Sequence, residues 1–171
     1  KRALRVSERL YGQYAYKLVT GVAFPRSESG RTFAVHDADG SLIANVASAA
    51  RKDLRDAVLA ERSAQSGWAA RTAYNRGQIL YRVAEVMEGR RRQFAEELRR
   101  CGVEKGAARR EVERAIDRWV WYAGWCDKFH HIAGTVNSVA GPYFNFTTPE
   151  PTGVVGIVTP ADPGLLGLVS R

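Results

Sequence analysis

Cysteine, histidine and acidic residues are scarce in this 171-residue sequence, and each scarcity argues against a class of protein. The two cysteines, Cys101 and Cys126, form neither a metal-binding nor a redox spacing. The three histidines, His36, His130 and His131, occupy no metal-ligand spacing. Neither a disulfide-stabilised secreted domain nor a metal site is therefore indicated. With no recognisable secretory segment, we expect a reducing, cytoplasmic setting.

Long apolar runs are also missing. The longest one, near Val154, is far shorter than the ~20 residues that a membrane-spanning helix requires, so we expect no membrane partner. Hydrophobic residues still make up 45% of the chain, which is enough for a globular core. The chain begins with Lys1 rather than Met and its last helical pattern has no cap, so we expect a piece of a longer protein.

The shortage of acidic residues leaves a net charge of +8, from 26 basic and 18 acidic side chains. The densest basic runs, residues 90–92 and 99–100, alternate with Glu88, Glu96 and Glu97. This alternation favours a solvated helix face over a phosphate-binding surface, so we expect no nucleic-acid partner. Nucleic-acid binding is the alternative, and it predicts salt-dependent retention on DNA.

Short β-like runs between Tyr16 and Val46, separated by turn-forming residues, predict a small antiparallel meander. Four helices are predicted after it. The first starts near Lys52 with a buried face, and the second follows Thr72 as N-cap. The third runs from about residue 90 to 100, and the fourth from about 107 to 131. The face predicted for the first helix comprises Leu54, Ala57, Val58, Ala64 and Trp68.

The remaining residues predict a hairpin and then a strand, a turn and a helix. Residues 136–150 read as two short strands around Ala140 to Pro142. GVVGIV, residues 153–158, is apolar on both faces, which is typical of a central strand in a parallel sheet. After it we predict Asp162 as the N-cap of a helix and Pro163 as its first residue.

Five motifs in this order carry a resemblance to a known family. They are GRTFAVHDADGSLIANVASAARKDLRDAV at 30–58, a helix ending near Trp68, R-x-x-I-L at 76–80, WYAGW at 121–125 and EPTGVVGIVTP at 150–160. From about residue 16 to 171 the chain resembles the N-terminal part of the NAD(P)-dependent aldehyde dehydrogenases. The last motif is the most specific, because that family carries a Glu-Pro-x-Gly-Val run that leads into Pro-Trp-Asn.

The resemblance implies an α/β fold. A modified Rossmann domain binds NAD or NADP, a second domain carries a nucleophilic cysteine, and a hairpin arm builds homo-oligomers. The thiolate adds to the aldehyde substrate to form a thiohemiacetal, hydride passes to the cofactor, and water releases the acid. Residues 1–15 would then be an arm, 16–135 the N-terminal part of the cofactor-binding domain, 136–150 the oligomerisation hairpin, and 151–171 a truncated start of the Rossmann-type core.

The resemblance also implies site residues. Val158, Thr159, Pro160 and Ala161 match the strand end that borders the nicotinamide and its ribose. Asp162 stands where the family has an asparagine whose amide donates to the oxyanion, and an ionised carboxylate can only accept hydrogen bonds. Ala161 replaces a tryptophan, which suggests a wider pocket.

Neither Cys101 nor Cys126 matches the family's nucleophile motif, so we expect the 171 residues to be inactive alone. The alternative is a non-catalytic remnant or assembly module that pairs with full-length subunits. The choice between NAD and NADP, and between a hydrolytic and a CoA-acylating reaction, stays open.

Overall fold

The computed structural model describes Ala15, Tyr16, Leu18, Thr20, Ala23 and residues 25–170. The predicted N-terminal arm, apart from Ala15, and much of the first β-like runs lie outside the described residues. In chain order the elements are β1 (Ala15–Tyr16), β2 (Thr32–His36), β3 (Leu42–Ala47), α1 (Arg51–Ala69), α2 (Ala73–Gly89), α3 (Arg91–Arg100), α4 (Lys105–Trp125), α5 (Phe129–Ala133), β4 (Thr135–Asn137), β5 (Asn145–Thr147) and α6 (Gly164–Val169).

The N-terminal sheet has the strand order β1-β3-β2. Strands β2 and β3 are antiparallel, as the predicted meander requires, and Thr32 lies opposite Ala47. The turn between these strands contains Gly40 at a φ of +85°, a conformation that favours glycine. Strand β1, however, pairs in parallel with β3, so the predicted antiparallel meander is wrong at this strand. Alternation identifies a strand but not the edge that it joins.

Helix α1 begins with a hydrogen-bonded carboxylate. Asp53 accepts from the amide of Ala50 at 2.6 Å and from the hydroxyl of the buried Ser27 at 2.7 Å. These bonds, the Ala50 amide first, hold the pKa of Asp53 below its usual value. None of the α1 residues is buried, and Leu54 is 67% exposed. Of the apolar face predicted for this helix, Ala57 and Val58 are half-buried and the other residues are exposed, so the described residues cover it only in part.

The hydrophobic core lies between α2, α4 and α6, with α3 at its side. Met87, Ala115 and Val169 are buried at its centre. Gly77 lets α2 approach α4, because a Cβ at this position would lie 3.1 Å from the carbonyl oxygen of Ala123. The partly buried side chains around this centre are Val83, Phe94, Ile116, Trp119, Leu165 and Leu166.

The helix boundaries largely follow the sequence. Thr72 caps α2 by accepting from the amide of Asn75 at 3.1 Å, as predicted. The long fourth helix is shorter than expected, because it ends at Trp125 and a turn separates it from α5. Gly134 follows α5, where a Cβ would lie 2.6 Å from the carbonyl oxygen of His130. Among the described residues, no helix has both the length and the apolarity to cross a bilayer.

The hairpin is formed as predicted, with β4 and β5 antiparallel and Val136 opposite Phe146. The predicted strand at residues 153–158 is wrong for this chain, since residues 148–160 contain neither helix nor strand. A strand needs neighbours that complete its hydrogen bonds. Within the described residues, β4 and β5 pair with each other and the N-terminal sheet is separate, so no strand lies beside this segment.

Candidate functional site

The five residues that the sequence singles out lie next to one another at the start of α6. Val158 is 94% exposed, Thr159, Ala161 and Asp162 are exposed, and Pro160 is half-buried. They form one continuous surface, which we call the 158–162 turn. The structure brings them together by chain continuity, between the open segment 148–157 and the packed helix α6.

The open segment passes beside α1. Gly153 has a φ of +105°, and a Cβ there would lie 3.6 Å from the side-chain nitrogen of Gln65. Gly156 has open space around it. A cleft between the segment and α1 is lined by Val58, Arg62, Gln65, Thr152, Gly153, Val154 and Gly156.

Asp162 does not cap α6, so the predicted N-cap is wrong. The helix begins one residue later than expected, with Pro163 at the N-cap position and Gly164 as its first residue. Pro163 has neither an N–H nor a side-chain acceptor, and no side chain from the cap residue binds the helix. The carboxylate of Asp162 is left at the surface.

The start of α6 is capped from another helix. Glu111, in the middle of α4 and only 8% exposed, accepts from the backbone N–H groups of Leu165 at 2.8 Å and Leu166 at 3.0 Å. Charge-assisted bonds at a helix N-terminus satisfy donors that have no partner within the helix. At the other end of α6, the hydroxyl of Tyr122 donates to the carbonyl oxygen of Ser170 at 3.1 Å.

Pro160 packs directly against α6. A Cβ at Gly167 would lie 2.5 Å from Cγ and 2.9 Å from Cδ of Pro160, so only glycine leaves room for this ring. Two contacts therefore flank the turn: Glu111 binds the start of α6, and Pro160 packs against Gly167.

Sequence reasoning missed Glu111, although a signal was present. Ala108 lies three residues before it and Ala115 four residues after it, and both are buried. A carboxylate on the same face of a helix as buried alanines requires hydrogen-bond partners. The pattern could have identified Glu111 as a capping or binding residue, but not which backbone it binds.

The two cysteines do not form a nucleophilic site. Cys126 is half-buried, its thiol donates to the carbonyl oxygen of Tyr122 at 3.5 Å, and burial raises its pKa. A raised pKa disfavours the reactive thiolate. Cys101 is exposed at the end of α3. Over the described part of the chain, no group of three or more potential ligands is placed to hold a metal ion.

The basic runs form local ion pairs on helix surfaces. Arg91 at the start of α3 lies 3.1 Å from Glu88 near the end of α2, and Arg99 lies 2.7 Å from Glu96, three residues earlier in α3. This arrangement fits the solvated charge stripe that the sequence predicts.

Comparison with known proteins gives a consistent result. The sequence model of the aldehyde dehydrogenase family matches residues 24–163. A putative aldehyde dehydrogenase, DhaS, of Bacillus subtilis is 33% identical over 164 residues, which are 92% of this chain and 32% of the relative. Mouse cytosolic 10-formyltetrahydrofolate dehydrogenase is 35% identical over 160 residues, 90% of this chain and 18% of the relative.

The fold is also similar to solved structures. The crystal structure of PnpE in complex with nicotinamide adenine dinucleotide superimposes with a TM-score of 0.75 at 26% identity, over 81% of this chain and 28% of that protein. The chain therefore spans about a third or less of the length of these relatives.

Proposed function

This chain belongs to the aldehyde dehydrogenase family, and from that premise we propose that it is the N-terminal part of an oxidoreductase that uses NAD or NADP to convert an aldehyde to a carboxylic acid. The family match over residues 24–163 and the fold likeness support this proposal. The single observation that locates a site for this proposal is the exposed 158–162 turn, which is joined to the helical core by α6.

Two features of the described residues support a place for them at one edge of a nicotinamide site. No strand pairs with residues 153–159 in the described part of the chain, so their backbone N–H and C=O groups are open for hydrogen bonding. The hydroxyl of Thr159 can donate to and accept from ribose hydroxyls. We propose that Val158, Thr159, Pro160 and Ala161 form this edge. When bound, the cofactor supplies the acceptor for the substrate's hydride.

The substrate would approach Ala161 and Asp162. Ala161 presents only a methyl group, which leaves room for a bulky aldehyde. The carboxylate of Asp162 is exposed and cannot donate to a developing oxyanion while it is ionised. The nucleophilic cysteine is in this proposal contributed by polypeptide outside these residues, because the pKa of Cys126 is raised and Cys101 matches no nucleophile motif. The 171 residues alone would then be inactive.

Assembly and location belong to the same proposal. The β4–β5 hairpin is the segment proposed to build homo-oligomers, and Phe144 on it is 76% exposed. Two free thiols are consistent with a reducing compartment, so we propose the cytoplasm.

The test is to express the open reading frame that contains these residues and to incubate the purified product with NAD+ or NADP+ and a panel of aldehydes. The proposal expects formation of reduced cofactor that depends on the aldehyde. Purified product that binds neither cofactor and oxidises none of the aldehydes would overturn it.

A second candidate is an assembly module without catalysis. Two observations favour it: Asp162 in place of an oxyanion donor, and the apolar hairpin surface, which offers a docking site for another subunit. The 171-residue chain, mixed with full-length subunits of the family, should then co-elute in size-exclusion chromatography. A chain that stays monomeric in every mixture removes this candidate.

A further inference from the structure

We propose that Glu111 is a positioning residue, which fixes the start of α6 and through it the 158–162 turn. The inference rests on the proposed function in one respect, namely that this turn borders the cofactor. Its structural part rests on the hydrogen bonds of Glu111 and on the contact of Pro160 with Gly167.

The helix needs an external cap. Six residues cannot sustain a helix in water without tertiary contacts. The free-energy cost of helix nucleation exceeds the stabilisation that the few hydrogen bonds of so short a helix provide. Pro163 contributes no cap, so the amides of Leu165 and Leu166 depend on Glu111. In return these amides satisfy a carboxylate that is 8% exposed and would otherwise be desolvated without a donor.

The position of the cap determines the position of the turn. Only Pro163 and Gly164 separate Asp162 from the capped amide of Leu165, so little chain is available to absorb a displacement. Before Asp162 in the chain, Pro160 packs against Gly167, which lies about one helical turn after the start of α6. A shift of the helix start therefore moves Ala161 and Asp162 with it.

The first experiment measures amide hydrogen exchange at Leu165 and Leu166 in the product of the complete reading frame. Glu111→Ala should accelerate exchange there by about tenfold or more, since a hydrogen bond to a charged group is removed. Glu111→Gln keeps an acceptor oxygen and should restore much of the protection. Glu113→Ala, an exposed carboxylate on the same helix, is the matched control and should change nothing.

The amide of Met87 serves as the internal reference because it lies in the same core but outside α6. Faster exchange at Leu165 and Leu166 with unchanged exchange at Met87 identifies a local loss of the cap. Unchanged exchange at both amides in a folded Glu111→Ala variant would overturn the proposal. If Glu111→Ala unfolds the chain, Glu111→Gln takes its place, because a neutral amide oxygen accepts a weaker hydrogen bond than a carboxylate and should leave both amides exchanging a few-fold faster than in wild type. Exchange equal to wild type in Glu111→Gln would then overturn the proposal.

The second experiment measures cofactor dissociation constants with the product of the complete reading frame. Glu111→Ala should weaken NAD+ or NADP+ binding several-fold, and Glu111→Gln should recover most of it. Accelerated exchange with unchanged cofactor binding would overturn the positioning role. A wild-type protein that binds no cofactor would refute the proposed function. The exchange result would still show whether Glu111 caps α6.

Discussion

Two carboxylates lie near the start of α6 and their surroundings give them different roles. Glu111 is buried and faces two backbone N–H groups, so its charge is satisfied by the helix. Asp162 is exposed, three residues before Leu165, and caps nothing. Because its charge is not engaged by the fold, Asp162 is available to act on whatever binds beside the turn.

Asp162→Asn tests this directly in the product of the complete reading frame. If Asp162 faces a developing oxyanion, replacing its carboxylate with an amide donor should raise kcat by about 10² to 10³. The matched control is Glu150→Gln, which neutralises an exposed carboxylate in the same open segment and should leave kcat unchanged. Equal kcat for Asp162→Asn and wild type would mean that the carboxylate does not face the reacting carbonyl.

Asp53 gives a pH-dependent contribution to stability. Its pKa is lowered from 3.8 in the folded chain, by the amide of Ala50 and the hydroxyl of Ser27. The contribution is therefore fully present above pH 3.8 and is lost as the pH falls through the lower, folded-state pKa. Thermal unfolding followed across this acidic range should show that the melting temperature of wild type falls as the pH is lowered. The fall should be smaller in Asp53→Asn.

Asp56→Asn is the control for that experiment, because Asp56 is an exposed carboxylate on the same helix. The dependence of its melting temperature on pH in the acidic range should match that of wild type. An Asp53→Asn variant with an unchanged acid profile would show that the Asp53 bonds contribute nothing to folding.

At the scale of elements, the sequence predicted both ends of α1 and α3 and the start of α2 to within one or two residues, because each has a local signal such as Thr72 or Gly102. The cap of α6 could not be predicted in this way. Capping rules operate over three or four residues, whereas Glu111 lies 54 positions before Leu165. The break before α5 also lacked a local signal, because the apolar pattern continues through Cys126.

Gly167→Ala should disturb the packing of α6 against the turn. The added methyl group meets the Pro160 ring, so we expect a loss of about 1–3 kcal/mol in the free energy of unfolding. Gly164→Ala is the matched control, since its Cβ meets no atom within 4 Å, and its effect should stay within about 1 kcal/mol. Urea denaturation measures both, and equal stabilities would contradict the contact.

At the scale of the whole molecule, apolar surface is concentrated outside the α2–α4–α6 core. The α1 face, the open segment and the hairpin all expose large side chains. The sequence correctly marked α1 and residues 153–158 as apolar. An apolar pattern predicts that a segment is buried, but it does not identify the elements that pack over it. That is why the strand prediction failed while the helical core and the family prediction were confirmed.

The hairpin surface should drive self-association of the complete protein. Phe144 and Phe146 lie with ring centroids 5.4 Å apart on an exposed face, so replacing both by serine should weaken association by about tenfold or more. Tyr74→Ser, at an exposed aromatic on α2, is the control and should leave it unchanged. Sedimentation velocity over a concentration series measures the effect, and identical association of all three proteins would refute the role of the hairpin.

The open segment between β5 and α6 has one more consequence. It is long, accessible and free of regular structure, so a protease should nick it before the helical core. Within the described residues, Glu111, Tyr122 and apolar contacts with the core would still hold α6 after such a cut, so the helix should keep its place without its chain connection to β5.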